Sequence, residues 1–155
     1  MSDVRTRFAP SPTGHVHIGN IRVAIFNWLF ARHTGGRFLL RIEDTDRQRS
    51  TPEACRTLMD AMEWLGLNWD EPPLYQSARR EAHLAAAEQL LATGHAVRED
   101  KGGTGRGDCI VFRMPGCDIE FDDLVKGRLR KAAADLRDFV IVRSDGHPVF
   151  HLANV

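Results

Sequence analysis

Two short apolar strands separated by a helix, all before residue 43, restrict what this chain can fold into more than any other feature. Val4-Arg5-Thr6-Arg7-Phe8 alternates and stops at Pro10-Ser11-Pro12-Thr13-Gly14, where two prolines fix φ and withhold backbone donors. From His17 onward Ile18, Ile21, Ile25, Trp28 and Leu29 recur at helical spacing, with Val23, Phe26 and Phe30 on other faces, until Gly35-Gly36 ends the pattern. A helix apolar on so many sides is expected to be buried on most of them. Arg37-Phe38-Leu39-Leu40-Arg41-Ile42 then reads as a second strand ending in Glu43-Asp44-Thr45-Asp46. The pattern is a βαβ unit, right-handed by the usual rule, with its loops at the carboxyl edge of a parallel sheet.

The rest of the chain is punctuated by caps and glycines. Ser50 and Thr51 offer N-caps ahead of Pro52 and Glu53, and the helix they open is expected to run to about Leu65, with Gly66 as its stop. Ser77 reads as the cap of a further helix, striped by Leu84, Ala87, Leu90 and Leu91 and ended by Gly94; these two helices are expected to pack together. Lys101-Gly102-Gly103-Thr104-Gly105-Arg106-Gly107 has no apolar period and marks a sub-domain boundary. Beyond it Ile110–Arg113, Ile119–Phe121 and Phe139–Val142 read as strands, and Asp145-Gly146 as a hairpin turn into a last strand over Val149–Leu152.

Composition narrows the class. The chain has 155 residues, enough for a real core, with 21 Lys and Arg balanced by 21 Asp and Glu, which excludes a generally cationic nucleic-acid coat. Its longest apolar runs fall far short of the roughly 18 residues that a membrane span requires. The first residues lack the apolar core of a secretory signal, and Cys55, Cys109 and Cys117 form no paired framework. A cytoplasmic, reducing compartment without membrane association is expected.

Two segments carry candidate chemistry. The first is Pro10-Ser11-Pro12-Thr13-Gly14-His15-Val16-His17-Ile18-Gly19-Asn20. A helix start offers unpaired N–H groups and a positive dipole end to a phosphate, Gly14 and Gly19 permit close approach, and imidazoles donate to phosphoryl oxygens. The same residues also read as a turn finishing at the surface, and His15 with His17 and nearby carboxylates as a metal site. The second is Arg41–Arg47 at the end of the second strand, where ligands bind in a parallel sheet. Alternation puts Arg41 and Glu43 on one side of that strand. Carboxylates there suit an ammonium, a ribose or Mg²⁺, or belong to a solvated, salt-bridged loop. Gly103, Gly105 and Gly107 imitate a phosphate loop but precede no helix and no Gly-Lys-Ser/Thr, so they read as a linker. Lys126, Arg128 and Arg130 alternate on a strand face that suits nucleic-acid phosphates or a charged, solvated edge strand.

Taken together, Arg7–Gly14, His17-Ile18-Gly19-Asn20, Phe26-Asn27-Trp28-Leu29, Arg41–Asp46, Trp64-Leu65-Gly66-Leu67, Phe121–Gly127 and Asp138-Phe139-Val140-Ile141 through Ser144–Asn154 resemble the bacterial glutamyl-tRNA synthetases, class I aminoacyl-tRNA synthetases. The resemblance implies an α/β fold with a Rossmann-like parallel sheet and a shortened insertion. Residues 1–100 would form the first half of the nucleotide-binding catalytic domain, 101–107 a glycine-rich joint, and 108–155 a remnant of the acceptor-binding insertion leading back into the catalytic sheet. It also implies a ligase that makes glutamyl-adenylate from glutamate and ATP, with Mg²⁺, and transfers glutamate to tRNA(Glu). On the matching positions Arg7, Ala9, Ser11, Glu43 and Asn154 would hold glutamate, Glu43 taking its α-ammonium. Thr13, His15, His17 and Gly19 would receive ATP, His15 and His17 serving catalysis.

The chain departs from that pattern in places. The signature ends in Asn20 rather than His, a variation this family commonly shows. The glycine-rich joint replaces most of a longer insertion that often carries zinc, and Cys109 and Cys117 do not restore such a site, so no zinc is expected. Phe150 stands where the family usually has a Tyr that hydrogen-bonds the amino acid, a loss of about 0.5–1.5 kcal/mol for a neutral bond. The second half of the sheet and the lysine-rich loop that steadies pyrophosphate are not among these residues. The chain therefore reads as the amino-terminal part of such a catalytic domain or a short paralogue, and the alternative is a non-catalytic module that binds a nucleotide, an amino acid or a partner. An open sheet edge is expected to favour self-association.

Overall fold

The computed structural model describes residues 4–13, 16–46, 49–100 and 107–155. The chain divides into two compact units, residues 1–79 and 80–155.

In the first unit β1 (Arg5–Phe8) and β2 (Arg37–Ile42) pair in parallel, from Arg5 opposite Arg37 to Phe8 opposite Leu40. The crossover between them is α1 (Ile18–Thr34). Gly35, at φ 66°, closes the helix, and Gly36 follows because a Cβ there would lie 2.4 Å from the Val4 carbonyl oxygen. That same oxygen accepts the Arg37 N–H at 2.9 Å, so one glycine pair both stops the helix and lets β2 start against β1. Phe38, Leu40 and Ile42 alternate into the core, where Ala24 and Ala31 of α1 meet them without a bulky side chain between.

The remaining elements of this unit frame the carboxyl edge. α2 (Pro52–Trp64) begins where the Thr51 hydroxyl accepts the Ala54 N–H at 3.1 Å with Pro52 in the first turn, and it buries Leu58 and Met62. A two-residue strand, β3 (Leu74–Tyr75), pairs in parallel with the end of β2 and completes the order β1-β2-β3. The expected parallel α/β unit is therefore present.

α1 departs from its expected burial. Ile18, Val23, Phe26, Leu29 and Phe30 are exposed, Ile18 to 81% and Phe26 to 66%. The face turned toward the sheet is the one carrying Ala24 and Ala31, because small side chains let the helix axis approach the strands. Ile21 is buried as well, and Ile25 and Trp28 pack against the same core, while the five exposed residues lie off that stripe.

The second unit holds α3 (Arg80–Ala92) against an antiparallel sheet of β4 (Ala96–Glu99), β5 (Cys109–Phe112) and β8 (Phe139–Val142), ordered β4-β5-β8. Ala87, Ile110, Ile141 and Leu152 lie in its core. A hairpin of β6 (Ile119–Asp123) and β7 (Gly127–Lys131) pairs Glu120 with Arg130 and Asp122 with Arg128. The unit ends in α4 (Phe150–Ala153).

Several expectations change here. The compact units divide between Arg79 and Arg80. The glycine-rich stretch connects β4 to β5, which are paired from Ala96 opposite Phe112 to Glu99 opposite Cys109, so it links neighbours in one sheet; residues 101–106 lie outside the described residues. β8 lies in this antiparallel sheet, alongside β5. The two helices expected to pack together serve different cores, α2 the first and α3 the second. The hairpin turn at Gly146 is present, at φ 76°, but beyond the single bridge of Val142 with Pro148 the chain turns helical instead of forming a strand. The ladder bonds flanking that bridge, Arg143 N–H to the His147 carbonyl at 3.0 Å and Val149 N–H to the Ile141 carbonyl at 2.9 Å, are the last before Val149 becomes the N-cap of the helix. Among the described residues no helix is long and apolar enough to cross a membrane.

A single carboxylate ties the first unit's loop to both α1 and β2. Asp70 Oδ2 accepts the Arg32 guanidinium and the Phe38 N–H, each at 2.7 Å, while the Asp70 N–H donates to the Phe38 carbonyl at 2.9 Å. The hydrogen bond from Arg32, then that from Phe38, hold the Asp70 carboxyl below the usual carboxylate range. A folded-state value below the unfolded one contributes stability above the unfolded pKa and loses it as pH falls through the folded value. Asp70→Asn is thus expected to lower stability at neutral pH by about 1 kcal/mol. Urea unfolding should show that deficit shrinking as pH drops through about 4 and below.

Candidate functional site

β1 and β2 run parallel, so the loops that follow them leave from the same edge, and the Glu43 N–H closes them together by donating to the Pro10 carbonyl at 2.9 Å. Glu43 is 3% exposed. Its Oε1 meets Arg41 Nε at 2.6 Å, the pairing that strand alternation had placed on one side. Its Oε2 is buried and has no hydrogen-bond partner among the described residues. A buried carboxylate oxygen left in this way is costly, and a ligand donor arriving there would remove the cost.

Arg7 completes the cluster from β1. Burial lowers its pKa first and repulsion from Arg41 second, while attraction to Glu43 raises it. Two guanidinium groups and one carboxylate thus lie within electrostatic reach of one another. Such a cluster can take an ammonium on Glu43 and carboxylates on the arginines.

The first loop builds an adjoining recess of about 230 Å³ lined by Ser11, Thr13, Val16, His17 and Asn20 together with Pro10, Pro12, Ala54 and Leu58. His17 is the N-cap of α1: its Nδ1 accepts the Gly19 N–H at 3.2 Å. A Cβ on residue 19 would lie 2.9 Å from the His17 ring, so glycine is what allows the imidazole to fold over the helix start. With Nδ1 accepting, the neutral ring carries its proton on Nε2, where it can donate outward. The first turn of α1 has no acidic residue to neutralise its dipole.

The expected site residues are thus partly assembled. Arg7 and Glu43 share one cluster, and Ser11, Thr13, Val16, His17 and Asn20 share the recess. Ala9 is half-buried between β1 and the loop, and Gly19 shapes the His17 cap. Gly14 and His15 lie outside the described residues. Asn154 belongs to the second unit, at the C-cap of α4, where its N–H donates to the Phe150 carbonyl at 3.1 Å. Phe150, half-exposed, meets His151 edge-on at 5.8 Å. Asp44, offered as a ligand or a solvated residue, has both carboxylate oxygens engaged by Ser77; that partnership was missed, and only a Ser following a Tyr-Gln hinted at it. Arg128 pairs with Glu120 at 2.6 Å and Arg130 with Asp118, so the β6–β7 hairpin answers its own charge. Burial, then the Asp44 charge, push the Cys55 thiol up, which suits an inert thiol. Among the described residues no group of three or more His, Cys, Asp or Glu side chains is placed to hold a metal ion.

Residues 3–103 match the family described as tRNA synthetases class I (E and Q), catalytic domain. The chain belongs to that family. It is 44% identical to "Glutamate--tRNA ligase 2" of Koribacter versatilis (strain Ellin345), covering 99% of this chain and 40% of the relative. It is 45% identical to "Glutamate--tRNA ligase" of Phenylobacterium zucineum (strain HLK1), covering 98% and 39%. In three dimensions it is similar to a crystal structure of a glutamate tRNA ligase from Elizabethkingia meningosepticum in complex with its amino acid, at a TM-score of 0.86 and 32% identity, over 99% of this chain and 41% of that one. This class I synthetase chain therefore spans about 40% of the length of the relatives it matches. The alignment with the Koribacter relative runs over 191 positions against 155 residues here, so that relative carries residues with no counterpart in this chain.

The Arg41–Glu43 pair makes a prediction of its own. Arg41→Met strands a buried carboxylate and is expected to cost about 3 kcal/mol in urea unfolding at neutral pH. Glu43→Gln in the Arg41→Met background should recover part of the loss. A deficit under about 1 kcal/mol for Arg41→Met would show the pair to be hydrated.

Proposed function

We propose that this chain carries the glutamate- and ATP-binding half of a glutamate–tRNA ligase catalytic domain. The observation that supports it best is the buried, unpartnered Oε2 of Glu43, whose Oε1 pairs with Arg41, at the joined ends of two parallel strands. Glutamate carries one ammonium and two carboxylates, and a cluster with one carboxylate and two guanidinium groups offers partners of opposite charge to each kind.

In this reading Glu43 takes the α-ammonium while Arg7, Ala9 and Ser11 border the rest of the amino acid, joined by Asn154. Mg²⁺–ATP enters as a substrate, its phosphates directed to Thr13 and His17 of the recess and to Gly19 in the first turn of α1, with His15. Mg²⁺ bound through phosphates needs few protein ligands. The α-carboxylate of glutamate attacks the α-phosphate, a P–O bond forms as the bond to pyrophosphate breaks, and glutamyl-adenylate results. No protein nucleophile is required. His17, its Nε2 proton directed outward, and the start of α1 stabilise phosphate charge, and the rest of catalysis is orientation. The 3′ end of tRNA(Glu) then receives the glutamyl group. The shortened insertion falls at the β4–β5 connection, and the protein works in the cytoplasm.

Calorimetric titration with a non-hydrolysable glutamyl-adenylate analogue and Mg²⁺ tests this without requiring turnover. Saturable binding is expected, preferring the glutamyl over the glutaminyl analogue. Glu43→Ala should weaken it about thirtyfold, the worth of a charge-assisted bond near 2 kcal/mol. Binding that is absent, or indifferent to Glu43, would overturn the reading and leave an interaction module derived from a synthetase.

Self-association is proposed through β1, which among the described residues pairs with β2 alone. The exposed apolar face of α1 flanks it. Sedimentation velocity should show a dimer growing with concentration; monomer alone at high concentration would remove the proposal.

A further inference from the structure

Glu43 lies one residue past the end of β2, where the β2–β3 ladder has already stopped at Ile42 opposite Tyr75. Continuing that register would set Asp44 opposite Ser77. There the backbone ladder is replaced by a side chain: Asp44 Oδ1 accepts the Ser77 N–H at 2.8 Å and Asp44 Oδ2 accepts the Ser77 hydroxyl at 2.5 Å. Ser77 sits in the 3₁₀ turn Gln76–Arg79 directly after β3, and Gln76 beside it is buried. Two charge-assisted bonds are much for a strand pair of two residues, which alone is marginal.

The residue between these anchors is Glu43. Its own N–H is held by Pro10 of the first loop, and the next residue is held by the turn after β3. We infer that Asp44 is a positioning residue: its two-bond clamp on Ser77 fixes the backbone at Glu43, so that Oε2 stands ready for the ammonium of the amino acid. The inference rests on the reading of Glu43 as ammonium acceptor. It assigns Asp44 no direct contact with substrate and accounts for the use of both its oxygens.

The test compares two probes, the glutamyl-adenylate analogue and its deamino counterpart lacking the α-ammonium, by calorimetry on the full chain. Asp44→Ala is expected to weaken the amino analogue about tenfold and the deamino analogue less than about twofold. Ser77→Ala, which keeps the N–H, should fall between wild type and Asp44→Ala. Asp44→Asn should restore most of the affinity, since its carbonyl still accepts the Ser77 N–H and its NH₂ can donate to the Ser77 oxygen. Equal weakening of both analogues would reduce Asp44 to a structural role and overturn the inference, as would no weakening of either. If wild type binds neither analogue, the reading of the pocket fails separately, and hydrogen exchange decides the clamp: faster exchange of the Glu43 amide in Asp44→Ala supports it, and unchanged exchange overturns it.

Discussion

Burying a carboxylate costs several kcal/mol unless a cation and donors meet it, and the carboxyl edge of the first unit is arranged around that requirement at Glu43. Arg41 meets one oxygen from the same strand face, and the Glu43 backbone is held by Pro10 from the neighbouring strand's loop. Neither would be in place without the parallel pairing of β1 with β2. That pairing depends in turn on Gly36, whose missing Cβ lets Arg37 reach Val4. A substitution far from the pocket in space, at the other end of the strands, would therefore be felt at Glu43 through register. Because strand side chains alternate, a slip of one residue would turn Glu43 to the opposite face.

What could be read from sequence was whatever depends on neighbours in the chain. The glycine stops at Gly35, Gly66 and Gly94, the Thr51-Pro52 helix start and the alternation of β2 are local, and each is present. The Arg41–Glu43 juxtaposition followed from a period of two. Contacts across long sequence separations were not legible: Asp70 with Arg32 and Phe38, and Asp44 with Ser77, involve short polar side chains in loops whose partners no periodicity announces. β3 was missed because a two-residue strand after Pro72-Pro73 has no alternation to detect. Val149–Leu152 misled in the opposite way. It follows a hairpin turn and still makes the ladder bond from Val149 N–H to the Ile141 carbonyl, but there the chain closes into α4 instead.

α1 shows how a correct element can carry a wrong expectation of burial. Apolar residues surround the helix, yet a helix contacts a sheet through one stripe, and close approach favours the smallest side chains there. Ala24 and Ala31 take that place and are fully buried, whereas Phe26 and Phe30 are exposed. Hydrophobicity summed around the helix measured how much surface seeks cover. It did not say which side the sheet would supply.

Charge follows the same division between what is answered locally and what is left open. Over the whole chain cations and anions balance, and in the β6–β7 hairpin they balance residue by residue, Arg128 with Glu120 and Arg130 with Asp118. Such exposed pairs contribute little stability, and they leave little field for an approaching ligand. At the ends of β1 and β2 charge is instead gathered out of water: burial first and the neighbouring Arg41 second lower the Arg7 pKa, Glu43 raises it, and the second oxygen of that buried carboxylate has no hydrogen-bond partner among the described residues. A donor reaching that oxygen would remove a desolvation cost that no exposed pair of the hairpin carries.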